Sequence, residues 1–89
     1  MRLYSLNGEK FTSREVMYDY LNDIFDLPDH FGNNLDALWD SLSSSSKETV
    51  IELIYKDAIV EHLGKYGESF LSILDRLDQT DHYTVHIYS

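Results

Sequence analysis

The sequence predicts an α/β fold: a single domain, residues 1–89, with a small three-stranded parallel sheet and about four helices packed on it. Its 89 residues, 43% of them hydrophobic, are enough for one modest core. Segments rich in β-branched and aromatic residues alternate with segments whose apolar residues recur at helical spacing. Strands separated by helices favour parallel pairing through crossover connections, which predicts this sheet.

Three segments are expected to form the strands. Residues 2–6 read as a short strand that ends at the Asn7-Gly8 turn. Residues 49–55 are apolar almost without interruption, which is typical of a strand covered on both faces. Residues 83–88 form the last strand.

The first helix is predicted from a capping box, with Thr12 as the N-cap and Glu15 reaching back to it. Phe11 and Val16 could form a hydrophobic staple around that cap. The helix should end at Leu27-Pro28, because the residue before a proline avoids the helical region. Its apolar stripe comprises Val16, Met17, Tyr20, Leu21 and Ile24.

The second helix is expected over residues 34–42, with Asn33 or Asn34 as its cap. At about 100° per residue, Asp36 and Asp40 should point together to a face beside the core stripe. The core stripe contains Leu35, Leu38, Trp39 and Leu42, of which the three leucines are predicted to be buried and Trp39 to pack with an exposed edge. Further along, residues 43–46 read as a loop, residues 56–63 as a helix ended by Gly64, and the segment from Gly67 as a fourth helix.

Residues 15–46 hold seven carboxylates and no lysine or arginine, within a chain of net charge −9. Such a charge disfavours nucleic acid and anionic membranes as partners. It leaves a basic protein, a cation or no charged partner. The chain has no cysteine, so we expect neither disulfides nor a thiolate metal site. No apolar run approaches a membrane span, and the first residues do not resemble a secretory signal.

Asp36 and Asp40 are the most specific candidates for a functional site in the sequence. Two carboxylates on one helical face can exchange protons, bind a metal or receive a cationic partner. The helix macrodipole alone would explain Asp36 near the N-terminus, but it does not explain Asp40, which repels Asp36 from the next turn. Aromatic groups flank the pair at His30, Phe31 and Trp39, where they could be either satellite core or interface anchors.

Other chemistry finds less support in the sequence. His62, His82 and His86 lack the spacing of a metal site, and solvated or strand-surface histidines are the simpler interpretation. The chain has neither a nucleophile elbow nor a phosphate-binding glycine loop, so an enzyme is disfavoured. The paired aspartates nevertheless leave a small metal-dependent hydrolase open as an alternative.

Residues 27–42, LPDHFGNNLDALWDSL, resemble the hallmark segment of the barstar family of intracellular ribonuclease inhibitors. The resemblance extends over essentially all 89 residues. It includes the Asn7-Gly8-Glu9 turn, Gly67-Glu68-Ser69 at the start of the last helix, and a terminal strand that finishes with Ser89.

The resemblance implies a barstar-like α/β fold and a cytoplasmic inhibitor that is monomeric when free, needs no cofactor or metal and has no catalytic residue. Its partner would be a basic, secreted, guanyl-preferring microbial ribonuclease, plugged in a 1:1 complex. A barstar-like module for another basic protein or toxin nuclease is the alternative. Carried over by position, the implied partner-binding residues are His30, Phe31, Asn34, Asp36, Trp39, Asp40, Ser43 and Ser44.

Three positions depart from the family pattern. His30 stands where the family usually has a tyrosine, and Ser45 where it carries a tryptophan just past the second helix. The acid that the family contributes from its last helix falls at Arg76, with Asp75 adjacent. These departures, together with the loop at residues 43–46, bear on which ribonuclease is bound.

Overall fold

The computed structural model describes residues 1–27 and 32–88, and its centre is a three-stranded parallel sheet. Its strands are β1 (Arg2–Asn7), β2 (Thr49–Ile54) and β3 (Tyr83–Ile87), side by side in chain order. In the register, Thr49 of β2 pairs with Arg2 on one side and with Tyr83 on the other. The predicted parallel sheet is thus confirmed.

One face of this sheet carries the core, and the other is largely open. Thr49, Ile51 and Leu53 of β2 are buried, whereas the alternate position Ile54 is 42% exposed. Leu3 of β1, which also points away from the helices, is 60% exposed. The expectation that β2 is covered on both faces is therefore wrong. An apolar run in a half-covered strand resembles the run of a buried strand, because the sequence does not reveal what lies over each face.

Within the described ranges there are four α-helices: α1 (Arg14–Phe25), α2 (Leu35–Ser43), α3 (Lys56–Leu63) and α4 (Lys65–Asp78). A 3-10 turn, Gly8–Lys10, connects β1 towards α1. None of these described helices combines the length and the apolar character needed to cross a bilayer. The helices bury their apolar stripes in a single cluster with the covered face of the sheet.

The boundaries of α1 differ from the prediction at both ends. Ser13 rather than Thr12 is the N-cap, and its Oγ accepts a hydrogen bond of 3.1 Å from the backbone N–H of Val16. The predicted staple is absent, since Val16 is exposed while Phe11 is fully buried against other rings. Asp26, in the left-handed conformation at φ 52°, caps the C-terminus before Leu27-Pro28 is reached.

The start of α4 is fixed by close contact with α3. The helix begins at Lys65, directly after Gly64 and two residues earlier than expected. Gly67 is buried where a Cβ atom would lie 2.6 Å from the carbonyl oxygen of Ile59, so only glycine lets the two helices approach this closely. This packing sets the position of α4, which in turn contacts α2.

Candidate functional site

The N-terminus of α2 is fixed by its own sequence. Gly32 and Asn33 both adopt positive φ angles, 89° and 46°, which glycine and asparagine tolerate better than other residues. Asn34 is then extended, and its Oδ1 accepts a 2.8 Å hydrogen bond from the backbone N–H of Ala37. The predicted cap is confirmed as Asn34, and it orients the first turn of the helix that carries Asp36.

The two faces of α2 differ as predicted. Leu38 and Leu42 are buried in the core, while Asp36 and Asp40 are exposed. Leu35 is only partly buried, so its predicted burial is wrong; it sits in the first turn, at the edge of the cluster. Because residues four apart are neighbours on a helix, the exposed carboxylates form a single acidic feature.

A tertiary hydrogen bond holds the C-terminus of α2. The Tyr83 Oη of β3 donates to the carbonyl oxygen of Leu42 over 2.6 Å in a buried position. This satisfies one of the carbonyl groups that a helix end leaves without an internal partner. Burial of the side chain raises the pKa of Tyr83 above its ordinary value. The helix is therefore fixed to the sheet at one end and capped at the other.

The serines after Trp39 belong to this fixed end. Ser43 is the half-buried last residue of α2, and Ser44 is the exposed C-cap, with its Oγ donating to the Ser41 carbonyl over 3.2 Å. Ser45 follows, and its Oγ accepts a 2.5 Å hydrogen bond from Arg2 Nη2. This position, which departs from the family pattern, thus anchors the loop to the amino end of β1.

Trp39 packs against the protein and also reaches the surface. Its side chain is half-buried beside the core, and the Arg76 Cζ of α4 lies 4.0 Å from the ring centroid. This distance is well within the range of a cation–π contact. Trp39 is therefore both a packing residue and part of the exposed surface beside the two aspartates.

A groove of about 600 Å³ opens next to the N-terminal turn of α2. Side chains from α1, α2 and α4 line it, among them Arg14, Glu15, Tyr18, Asn34, Asp36 and Tyr66. Tyr18 and Tyr66 join their hydroxyl groups by a hydrogen bond, and the Arg14 guanidinium lies 3.8 Å from the Tyr66 ring centroid. Burial is the main cause that raises the pKa of Tyr18. Sequence reasoning missed this groove because its walls come from distant parts of the chain: the two hydrogen-bonded tyrosines alone are 48 residues apart.

The acidic segment is exposed and uncompensated. Six of its seven carboxylates belong to described residues, and all six are exposed. Over residues 1–27 and 32–88, none of them forms an ion pair with a lysine or arginine. Asp36 and Asp40 therefore do not serve as internal salt-bridge partners of any described cation, and their charges face solvent.

The structure thus brings six of the eight candidate residues together on one helix and its caps. They are Asn34, Asp36, Trp39, Asp40, Ser43 and Ser44. The other two, His30 and Phe31, lie outside the described residues. The three further histidines, His62, His82 and His86, are exposed. Among described residues, no group of three or more potential metal ligands is placed to share an ion.

Two comparisons with known proteins bear on this surface. Residues 1–88 match the family described as "Barstar (barnase inhibitor)". The chain is also 33% identical, over 81 residues, to a protein of Bacillus subtilis (strain 168) named "Putative ribonuclease inhibitor YrdF". That alignment covers 89% of this chain and 88% of the relative, so the likeness includes the whole of α2, which lies in the middle of the chain.

Proposed function

The chain belongs to the barstar family, and from this premise we propose that it inhibits a basic, guanyl-preferring microbial ribonuclease by inserting the carboxylates of α2 into the enzyme's active site. The free protein is a monomer, the complex is 1:1, and inhibition takes place in the cytoplasm of the producing cell. The chain itself catalyses no reaction. The observation that carries the proposal is the exposed, unpaired state of Asp36 and Asp40 on a helix fixed at both ends.

Electrostatics supports a plug of this kind. A ribonuclease active site gathers lysine, arginine and histidine side chains to hold phosphate groups, and carboxylates can accept the same hydrogen bonds. A carboxylate at the phosphate position offers no bond that the enzyme can cleave. Asp40 is assigned to the pocket itself and Asp36 to an arginine or a base-binding group at its rim. Both charges must lose water on binding, so each needs a fixed cation opposite it.

Rigidity of α2 supports tight binding. The Asn34 cap, the buried Leu38 and Leu42, and the hydrogen bond from Tyr83 already hold the helix in place in the free protein. Ordering a flexible segment on association would reduce the affinity, and a preformed helix avoids most of that cost. The inhibitor therefore presents its carboxylates without having to fold around the enzyme.

The surrounding acids support fast encounter. The net charge of −9 and the exposed carboxylates that α1, its C-cap and α2 carry create a negative field around these two helices. Such a field accelerates association with a positively charged partner, and salt screens it. The remaining candidates, Asn34, Trp39, Ser43 and Ser44, together with His30 and Phe31, are proposed to surround the acids in the contact.

The direct test is an inhibition assay with a pull-down from the source cells and their secreted fraction. The expected result is capture of a basic ribonuclease and stoichiometric loss of its activity on RNA when the purified protein is added. Capture of a basic protein with no ribonuclease activity would assign the surface to another class of partner. Turnover of a substrate by the purified protein alone, dependent on a divalent metal, would contradict the proposal.

A further inference from the structure

An exposed cation contacts Trp39, the residue that precedes Asp40 in α2. The guanidinium of Arg76 stacks on the ring of Trp39, yet Arg76 is exposed and is in no ion pair with another described residue. The adjacent carboxylate, Asp75, instead accepts a 3.3 Å hydrogen bond from Gln79 Nε2, one turn further along α4. Asp75 also projects about 100° away from Arg76 around the helix axis, so it does not neutralise the arginine.

The Trp39 ring determines where this positive charge is held. With about 100° per residue, Trp39 lies about 60° from Asp36 and about 100° from Asp40 around the axis of α2. It therefore borders the row of exposed residues that carries both aspartates. Arg76 reaches this ring from α4, so its charge is held at the residue that borders the row.

Stacking leaves the guanidinium available for a partner. The ring covers one flat face of the group, whereas its N–H donors lie in the plane and point outward at the edge. A planar fork of this kind is suited to bidentate recognition of a carboxylate. If the partner had a lysine or arginine opposite Arg76 in place of that carboxylate, the two positive charges would repel each other and oppose binding.

We infer that Arg76 is a specificity-determining residue, which selects ribonucleases that present a carboxylate beside the cationic pocket that receives Asp36 and Asp40. This inference rests on the proposed function and adds a second, oppositely charged contact to it. Arg76 would affect affinity in two ways: a carboxylate on the ribonuclease opposite Arg76 strengthens binding, and a rim that carries only cations weakens it.

The test uses one bacterial guanyl-preferring ribonuclease, inactivated in its catalytic base, as the probe. A panel of its variants changes each lysine or arginine around the active-site mouth singly to glutamate. Dissociation constants are measured for the parent inhibitor, for Arg76→Glu and for Arg76→Gln against every member. The quantity compared is the dissociation constant of Arg76→Glu divided by that of the parent inhibitor. For at least one panel member, this ratio should be at least tenfold higher than for the unmodified ribonuclease.

Lys10→Glu is the matched control, because it makes the same change of charge at a distant place. Lys10 is exposed in the turn after the carboxyl end of β1, whereas the loop after α2 is hydrogen-bonded to Arg2 at the amino end. This variant should alter association with all panel members alike and show no selective coupling. Unfolding midpoints of all variants, with fluorescence of Trp39, the single tryptophan of the chain, report on the integrity of the stack.

The outcomes separate the inference from the function beneath it. If the parent binds the ribonuclease but no panel member couples to Arg76, the inference is overturned and the proposed function stands. It is also overturned if Arg76→Glu and Arg76→Gln weaken every complex equally while lowering the unfolding midpoint, because Arg76 then acts only by supporting Trp39. If the parent inhibitor binds neither the ribonuclease nor any variant, the proposed function fails, and the role of Arg76 fails with it.

Discussion

Replacing Asp40 with alanine should separate the stability of the fold from the affinity for the ribonuclease. Asp40 is exposed, pairs with no described cation and lies one turn from the like charge of Asp36. Removing it should leave the free energy of unfolding within about 0.5 kcal/mol of the parent, as for other surface substitutions. Relief of the repulsion between the two acids can even contribute a few tenths of a kcal/mol in favour of folding.

The same substitution should be costly in the complex. In the proposed plug, Asp40 is desolvated against cations that the enzyme holds in place, and alanine would leave those cations without a counter-charge. Truncation of one member of such a pair typically costs about 2–5 kcal/mol of binding. An affinity loss of about 30- to 4,000-fold is therefore expected, given about 1.4 kcal/mol for each factor of ten. Asp36→Ala should lose less affinity, since a rim position keeps more water.

The assay pairs denaturant unfolding of the free variants with inhibition titrations of a microbial guanyl-preferring ribonuclease. Unfolding is best followed by far-UV circular dichroism, because Trp39 adjoins the substituted residue and its fluorescence would respond directly. Asp23→Ala is the matched control: Asp23 is an exposed acid of α1 within the same acidic segment. If Asp40→Ala inhibits as well as the parent, mainly unfolds the free protein, or loses no more affinity than Asp23→Ala, the plugging mechanism is wrong.

Three further predictions concern steering, alkaline stability and the helix cap. In stopped-flow kinetics, the association rate should fall steeply between about 0.01 and 0.15 M ionic strength, because the screening length shortens from about 30 to about 8 Å, while the dissociation rate stays nearly constant. An association rate that does not change with salt would mean that the acidic residues serve solubility and do not steer a partner. Because burial raises the pKa of Tyr18 and Tyr83 in the folded state, unfolded chains lose these protons first. Stability that is present below about pH 10 should therefore decline above it by up to about 1.4 kcal/mol per pH unit for each group, and Tyr83→Phe should reduce this slope in urea titrations. Asn34→Ala should lower the free energy of unfolding by about 1 kcal/mol, whereas Asn34→Asp keeps the cap and should leave it unchanged. If Asn34→Asp has normal stability but binds the ribonuclease more weakly, the Asn34 side chain contacts the partner.

The sequence predicted α2 well because the signals that define it are local. Its cap is a side chain hydrogen-bonded three residues ahead, and its buried stripe repeats within three turns. The exposed state of Asp36 and Asp40 follows from the same periodicity. The parallel sheet was predicted for a comparable reason, since the order of strands and helices along the chain restricts how the strands can pair.

The errors arose where neighbouring residues compete or where the answer depends on distant parts of the chain. Thr12 and Ser13 both offer a hydroxyl for the cap of α1, and the local pattern alone does not decide between them; the chain places the extended cap residue at Ser13. The half-open sheet exposes Ile54, which the apolar run of β2 does not reveal. The contact of Arg76 with Trp39 joins α4 to α2 across 37 residues, and no local sequence pattern predicts it.

The structure supports α2 from one side and leaves the other side for binding. Among the described residues, the main supports of the helix lie in the core or at its ends: Leu38 and Leu42, the Asn34 cap and the hydrogen bond from Tyr83. The exposed acids contribute little to folding and repel each other, so their arrangement gains value only against a cationic partner. Arg76 belongs to a different helix from the acids. A change at Arg76 can therefore alter which partner is accepted while the acidic row and its supports stay in place, which allows affinity and selectivity to be adjusted independently.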